Sequence, residues 1–327
     1  MIDVLLDYVL FLTKTLTLVA AVTFVAGALV NLSRRNRETE ELRVTSLNSR
    51  LRRAADSLRG KLLPKAGRKQ LAKQRRREEK AAREERRKRV FVIDFHGDMR
   101  ATATASLREE VSAVLAVAEK GDEVLVRLEN AGGLVHDHGL AASQLVRIRE
   151  REIPLTVAVD KVAASGGYLM ACVADRIVAA PFAIVGSIGV LAQIPNIRRL
   201  LDDRGVTVEQ VKAGRYKRTV SMVGEVTEED REKLREELED VHTLFQEMVA
   251  RYRPDLDMER VATGEHWYGS RALELGLVDE LSTSDDWLAR LIDDADAWKV
   301  EWRRPRRFME KLSGAMEESR LGAFFGR

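Results

Sequence analysis

Between Tyr8 and Leu32 the only charged residue is Lys14, and Thr15–Leu32 is an uncharged run of 18. As a helix rising 1.5 Å per residue, Tyr8–Leu32 reaches about 37 Å, more than the hydrocarbon core of a bilayer requires. Lys14 lies less than two turns from the start and can extend its stem toward the headgroups. A cleaved secretory signal expects a basic leading region and a short apolar core. Here the leading residues carry Asp3 and Asp7, and Leu29, Val30 and Leu32 continue the apolar run past Ala26 and Ala28. The reading is one uncleaved transmembrane anchor over residues 1–33.

The net charge of +3 conceals a segregation. Residues 34–89 hold 22 Lys and Arg against 8 Asp and Glu, residues 1–33 balance to −1, and residues 90–327 balance to −10. The text of Lys73–Arg89, KQRRREEKAAREERRKR, can form a solvated helix but has no face to bury. A nucleic-acid arm is one reading of such a run. Without interleaved aromatics, and beside an apolar span, a juxtamembrane connector drawn to anionic lipid at ~1 kcal/mol per basic residue is favoured, with no nucleic-acid partner. Arg34, Arg35 and Arg37 follow the span, so the positive-inside rule places the C-terminal bulk in the cytoplasm. A composition 45% hydrophobic and 33% charged excludes a wholly disordered chain and a multi-span membrane protein. The lone Cys172 excludes an internal disulfide and a zinc site built on several thiolates, and it reads as a small core residue.

From Val90 the texture changes to strands alternating with helices, the pattern of a parallel α/β domain over residues 90–290. Val90–Phe95, Glu123–Glu129 and Ile153–Asp160 read as strands, and Arg176–Ile188 as a broken β-rich stretch. Ser106 and Glu109 form a capping-box pattern at the head of one helix, helical text runs over 139–149, and a helix around Asn196–Arg204 leads to a strand at Val206–Val211. Thr227 and Asp230 are spaced as a cap pair for a long helix ended by Pro254. Residues 291–327 form a tail, in which 303–327 begin RRPRR and continue with Met309, Leu312, Met316, Leu321, Phe324 and Phe325. That tail fits a membrane surface, a partner protomer or a frayed end.

Two glycine turns follow strands directly: Asn130-Ala131-Gly132-Gly133, and Ser165-Gly166-Gly167 after Ala163-Ala164. Glycines there let the backbone turn sharply and present bare N–H groups to a small anion. Two such groups converging from separate turns are what a tetrahedral acyl intermediate needs, at roughly 3–4 kcal/mol each. Ordinary βα turns, with Ser165 as a helix N-cap, fit the same text.

The ordered set VAASGGY (162–168), VGSIGV (185–190), AGRYKR (213–218), GEHWYG (264–269) and ALELGLVDE (272–280) resembles the signal peptide peptidase A family of serine proteases, and within it the membrane-anchored, single-domain branch. The resemblance covers residues 90–280. It implies a ClpP/crotonase-like α/β fold of repeated ββα units, here preceded by one transmembrane helix and the charged connector. It implies serine endopeptidase activity through an acyl-enzyme, no cofactor and no metal, and peptide or membrane-protein substrates beside the lipid bilayer. The family's Ser–Lys dyad falls on Ser165 as nucleophile and Lys217 as general base. A serine hydroxyl needs a base to remove its proton, and a lysine serves only when its amine is uncharged, which burial favours. The oxyanion hole falls on Gly166 with Gly132 or Gly133, and Ser187 is a candidate hydroxyl relay to the Lys217 amine. The family commonly has proline at Ala131 and aspartate-serine at Glu129-Asn130, so this chain departs from the pattern in that turn.

In double-length relatives of that family the serine and lysine come from different tandem copies. With one copy here, a homo-oligomer with shared sites is implied, in which Lys217 serves its own Ser165 or a neighbour's. The family role sets the catalytic domain on the periplasmic side of the inner membrane, against the positive-inside reading, and the sequence leaves both open. His136, His138, His242 and His266 offer a weaker histidine-base reading, and Lys161 reads as structural. Two other function classes fit the text: a crotonase-like acyl-thioester enzyme, which does not need Lys217, and a non-catalytic membrane scaffold.

Overall fold

The computed structural model describes residues 10–24, 27, 41–64, 67 and 87–304. They fall into two units. Arg43–Glu301 forms the α/β body, and the second unit comprises the described parts of Met1–Leu42 and Trp302–Arg327.

In that second unit, residues 10–24 are helical and exposed. The hydroxyls of Thr15, Thr17 and Thr23 donate to the carbonyls of Phe11, Thr13 and Val19 at 2.8, 2.7 and 2.8 Å. Bonding to the preceding turn hides the polar atoms inside the helix, and Leu12, Leu16, Val19 and Phe24 are left outward. No helix among the described residues is long and apolar enough to cross a membrane. The other residues of the expected anchor, most of the basic connector and the tail from residue 305 lie outside the described residues.

The body begins with β1 (Glu41–Ser46) and α1 (Leu47–Leu62), followed by β2 (Lys88–His96), α2 (Thr104–Val117), β3 (Glu123–Glu129) and α3 (Val135–Arg149). Next come β4 (Leu155–Val159), β5 (Val162–Ala164), α4 (Gly166–Ala171), β6 (Arg176–Ala179), β7 (Ile184–Gly186) and α5 (Arg198–Asp202). The long α6 (Glu228–Tyr252) leads to α7 (Met258–Val261), β8 (His266–Tyr268), α8 (Gly269–Glu274), β9 (Glu280–Leu281), α9 (Ser284–Asp294) and β10 (Ala295–Arg303). Seven strands form one sheet in the order β1-β10-β2-β3-β4-β6-β9, and β5-β7-β8 form a second. From β10 to β9 every pairing of the large sheet is parallel.

A parallel sheet covered on both faces demands continuous apolar strands, which is how β2, β3 and β4 read. On one face Val90, Val92, Leu125, Ala158 and Val178 pack with Leu47, Leu288, Ala295 and Ala297. By alternation Ile93, Phe95, Val126, Leu128 and Val157 face the other way, and α2 and α3 bury Leu107, Val111, Val114, Leu145 and Ile148. Asn48 ties α1 to β10: its amide donates to Ala295 O at 2.9 Å and its Oδ1 accepts Ala297 N–H at 2.7 Å. The domain therefore takes in Leu47, Asn48 and β10, and it extends past both ends of the expected 90–290.

Several elements differ from expectation. The Ser106 capping box does not form, because α2 starts earlier, after Ala103, with no side-chain cap. The Thr227–Asp230 box does form. The stretch 206–211 is exposed and irregular rather than a strand, since no neighbouring strand pairs with it. Ile153–Asp160 supplies β4 of the large sheet, whereas Arg176–Ile188 feeds both sheets, through β6 and β7, breaking at Pro181 where a ladder donor is missing.

The short helix α4, which follows Ser165, is held from behind. Tyr168 Oη donates to Leu277 O at 2.9 Å, and burial pushes its phenol pKa up. Two residues on, Asp279 accepts Arg253 at 2.9 and 2.7 Å and Ile177 N–H at 2.7 Å. Burial alone would raise the Asp279 carboxyl, but the Arg253 bond and the Ile177 N–H outweigh it and hold the pKa below the ordinary aspartate value. A lowered carboxyl stabilises the fold above its unfolded pKa of about 3.9, and that contribution is lost as pH falls through the folded value. Asp279→Asn is expected to lower stability at pH 7 by roughly 1–3 kcal/mol and to flatten the loss below about pH 4. Urea unfolding of both proteins across that range checks this; parallel curves contradict it.

Candidate active site

β3 ends at Glu129, and the next residue changes sheets. Asn130 N–H donates to Val162 O at 2.9 Å and Asn130 O accepts Ala164 N–H at 3.0 Å, a bridge to β5. This carries the 130–133 turn to the end of β5, where Ser165 stands. Ser165 sits at φ +52°, ψ −120°, in a region that costs a non-glycine residue about 1–3 kcal/mol. Its N–H donates to Gly186 O at 2.8 Å, so β7 holds the strained turn. Its hydroxyl caps no amide of α4, and the N-cap reading therefore fails.

The two glycine turns touch closely. A Cβ on Gly167 would lie 2.1 Å from Asn130 O. One on Gly132, at φ +91°, would lie 2.8 Å from Ser165 Cβ and 2.9 Å from Gly166 N. Gly132 N–H donates to Asn130 Oδ1 at 2.9 Å. The N–H groups of Gly133 and Gly166 donate to nothing among the described residues. Gly166 is buried and Gly133 half-buried; a buried donor without an acceptor is costly, so the unbonded Gly166 amide is unusual in a close-packed place.

Ser187 follows Gly186 directly, again at positive φ (+52°), and is half-buried. Its N–H donates to Glu265 O at 2.7 Å and its hydroxyl to Gly264 O at 3.4 Å. Ser165, Gly166, Gly132 and the Gly186–Ser187 step are thus brought together by the β5–β7 pair and the Asn130 bridge. Lys217 is not joined to them by any hydrogen bond. It lies exposed in the long segment between β7 and α6, in a turn closed by Lys217 N–H to Gly214 O at 3.2 Å. The segment meets α6 through Arg215 and Glu229, at 2.8 Å, and through the Tyr216 ring, which lies under Arg215 and Lys233. Leu191 and Val211 in the same segment are 82% and 94% exposed.

No histidine bonds Ser165 among the described residues. His136 is exposed beside Asp137, and His242 faces Ile188 O and Gln246. Lys161 pairs with Glu129 at 3.0 Å, a structural contact as its place before β5 indicates. Cys172 is fully buried, and burial pushes its thiol up to about 12, far from a reactive thiolate. Sequence reasoning missed the roles of Asn130 and His138. The His138 ring is fully buried, with Nε2 3.2 Å from Asn130 Oδ1 and Nδ1 2.9 Å from Leu134 O. A histidine eight residues downstream carries no spacing signal for that contact.

Two models of peptidase family S49 match the chain, the family's N-terminal part over residues 3–145 and Peptidase family S49 itself over residues 147–297. A probable protease SohB of Haemophilus influenzae is 45% identical, covering 98% of this chain and 95% of its own. A probable protease SohB of Buchnera aphidicola is 49% identical over 73% of this chain and 72% of its own. Among solved structures, a 1510-N membrane-bound stomatin-specific protease in complex with a substrate peptide aligns at a TM-score of 0.45 with 12% identity, over 71% of this chain and 99% of that one.

The turn contact sets a stability expectation. Gly132→Ala forces Cβ against Ser165 at an unfavourable φ and is expected to destabilise by roughly 1–3 kcal/mol. Gly139→Ala, in open space on α3, is expected to be neutral or stabilising by up to about 1 kcal/mol. Thermal unfolding of the two variants distinguishes them; equal shifts contradict the packing.

Proposed function

Because the chain belongs to peptidase family S49 and is a protease of that family, we propose that it is a membrane-anchored serine endopeptidase working through a Ser165–Lys217 dyad. The observation that carries this reading is the strained Ser165, its hydroxyl free of capping, packed against a glycine turn beside two unbonded amides. Ser165 Oγ attacks the peptide carbonyl while the uncharged Lys217 amine takes its proton. The oxyanion is held by Gly166 N–H and Gly133 N–H, at roughly 3–4 kcal/mol each. Gly133 is chosen over Gly132 because the Gly132 N–H is committed to Asn130 Oδ1. Lys217 then returns the proton to the departing amine, and water, deprotonated by the same lysine, releases the acyl group. Ser187 serves as a hydroxyl relay between the two. The body belongs to the ClpP/crotonase-like class, with β5-β7-β8 as the layer that carries the site.

Lys217 is exposed within one chain, whereas a lysine base must lose its charge in a dry place. A second copy supplies the cover. Apolar side chains exposed in the segment that carries Lys217, namely Leu191, Val211 and Met222, favour such a neighbour over free solvent. The active unit is then a homo-oligomer in which Lys217 serves a neighbouring Ser165. The exposed apolar helix at residues 10–24, with its hydroxyls bonded internally, supports a bilayer anchor and substrates that are extended peptides near the membrane.

Ser165→Ala and Lys217→Ala are each expected to abolish peptide hydrolysis with folding intact, and mixing the two variants restores part of it. Hydrolysis retained by Ser165→Ala ends the protease mechanism. Retention by Lys217→Ala alone contradicts the dyad, and a mixture that stays dead contradicts sharing between copies. Deleting residues 1–33 is expected to release the protein from sedimented membranes into the supernatant; a truncated chain that still sediments with them contradicts the anchor.

A further inference from the structure

We propose that His138 is a positioning residue: through Asn130 it braces the turn that presents the Gly133 amide. The proposal rests on the Ser165 protease reading for its catalytic consequence, though not for the brace itself. Asn130 Oδ1 accepts the Gly132 N–H at 2.9 Å, closing a side-chain turn over Ala131. Both ring nitrogens of His138 face acceptors, Leu134 O at 2.9 Å from Nδ1 and Asn130 Oδ1 at 3.2 Å from Nε2, and a neutral ring donates to one of them; the brace uses the form that carries the Nε2 proton, which donates to the second lone pair of Asn130 Oδ1. Asn130 Nδ2 in turn donates to Met170 Sδ at 3.4 Å, on the helix that follows Ser165. Asn130 and His138 are 1% and 0% exposed, so no water competes for these bonds.

The ring is also a spacer. A Cβ on Gly166 would lie 2.5 Å from His138 Cγ, and one on Gly133 would lie 2.8 Å from His138 Cε1. His138 is therefore wedged against both residues whose amides are unbonded, and it fixes their separation. Ala131 N–H makes no hydrogen bond among the described residues, and Asn130 is held in a strand bridge. Both conditions admit a proline at position 131. The backbone is thus compatible with a stiffer residue, and the Asn130–His138 pair provides the stiffness instead.

The test uses His138→Phe, which keeps the wedge and removes the bond, and Asn130→Ala, which removes it from the other side should the first variant fail to fold. Amide hydrogen exchange of the segment spanning 130–133 is expected to quicken by about tenfold or more in each. In peptide hydrolysis kcat is expected to fall roughly 10- to 100-fold while KM changes less than about twofold, the mark of a contact made only in the transition state. Adding Ala131→Pro to His138→Phe is expected to recover both measures. Unchanged exchange and kcat in the folded variants overturn the proposal, as does a kcat loss that proline fails to recover. Activity surviving in Ser165→Ala defeats the protease reading instead, and the exchange measurement then still reports on the brace.

Discussion

The contact between two glycine turns underlies everything proposed for this chain. Asn130 O lies so close to Gly167 that no side chain fits between them, and Gly132 is crowded, less tightly, by Ser165. That approach exists because Asn130 leaves the large sheet to bridge β5, and because β7 accepts the Ser165 N–H. Interiors this tightly packed transmit small displacements, so the separation of the Gly133 and Gly166 amides is set by backbone packing and the His138 ring together. Strain at Ser165 persists because β5, β7 and α4 over-determine its position, and Tyr168 and the Arg253–Asp279 pair fix α4 from behind.

Much of this was legible in the sequence. The apolar runs Val90–Phe95 and Glu123–Glu129 are strands because their burial on both faces leaves no place for polar alternation. The Thr227–Asp230 cap and the Pro254 stop are local, and local signals carry over directly. The turns that carry Ser165, Gly132 and Gly166 were marked by glycines at strand ends, and S49 membership agrees with the family that the five ordered motifs resemble. Elsewhere long-range packing overrode local text. Val206–Val211 has β-forming residues but no partner strand, and Ser106 lost its cap role when α2 began a turn earlier. Nothing in the text of residues 41–62 or 295–303 revealed that Leu47 and β10 complete the core, since those contacts close across some 250 residues of chain.

The brace around Asn130 was invisible for a related reason. Its partners Gly132, His138 and Met170 lie on a turn and two helices, and only the fold brings them to one carboxamide. The exposed segment that carries Lys217 shows the opposite situation. Its sequence motif is clear, while its surface contacts to α6 are charge pairs and cation–π contacts of modest strength. Such contacts leave the segment's apolar residues exposed, which is compatible with the proposed sharing of the site between copies.

The claim at the centre is that the Ser165 hydroxyl becomes acylated during peptide cleavage. Its most direct measurement is peptide mapping by mass spectrometry of the full-length protein, acid-quenched during turnover of a slowly deacylating peptide ester. The account predicts an acyl adduct, stoichiometric with active sites, on the fragment containing residues 162–168 and localised to Ser165. An adduct on another residue, or turnover with no covalent species at any quench time, contradicts it.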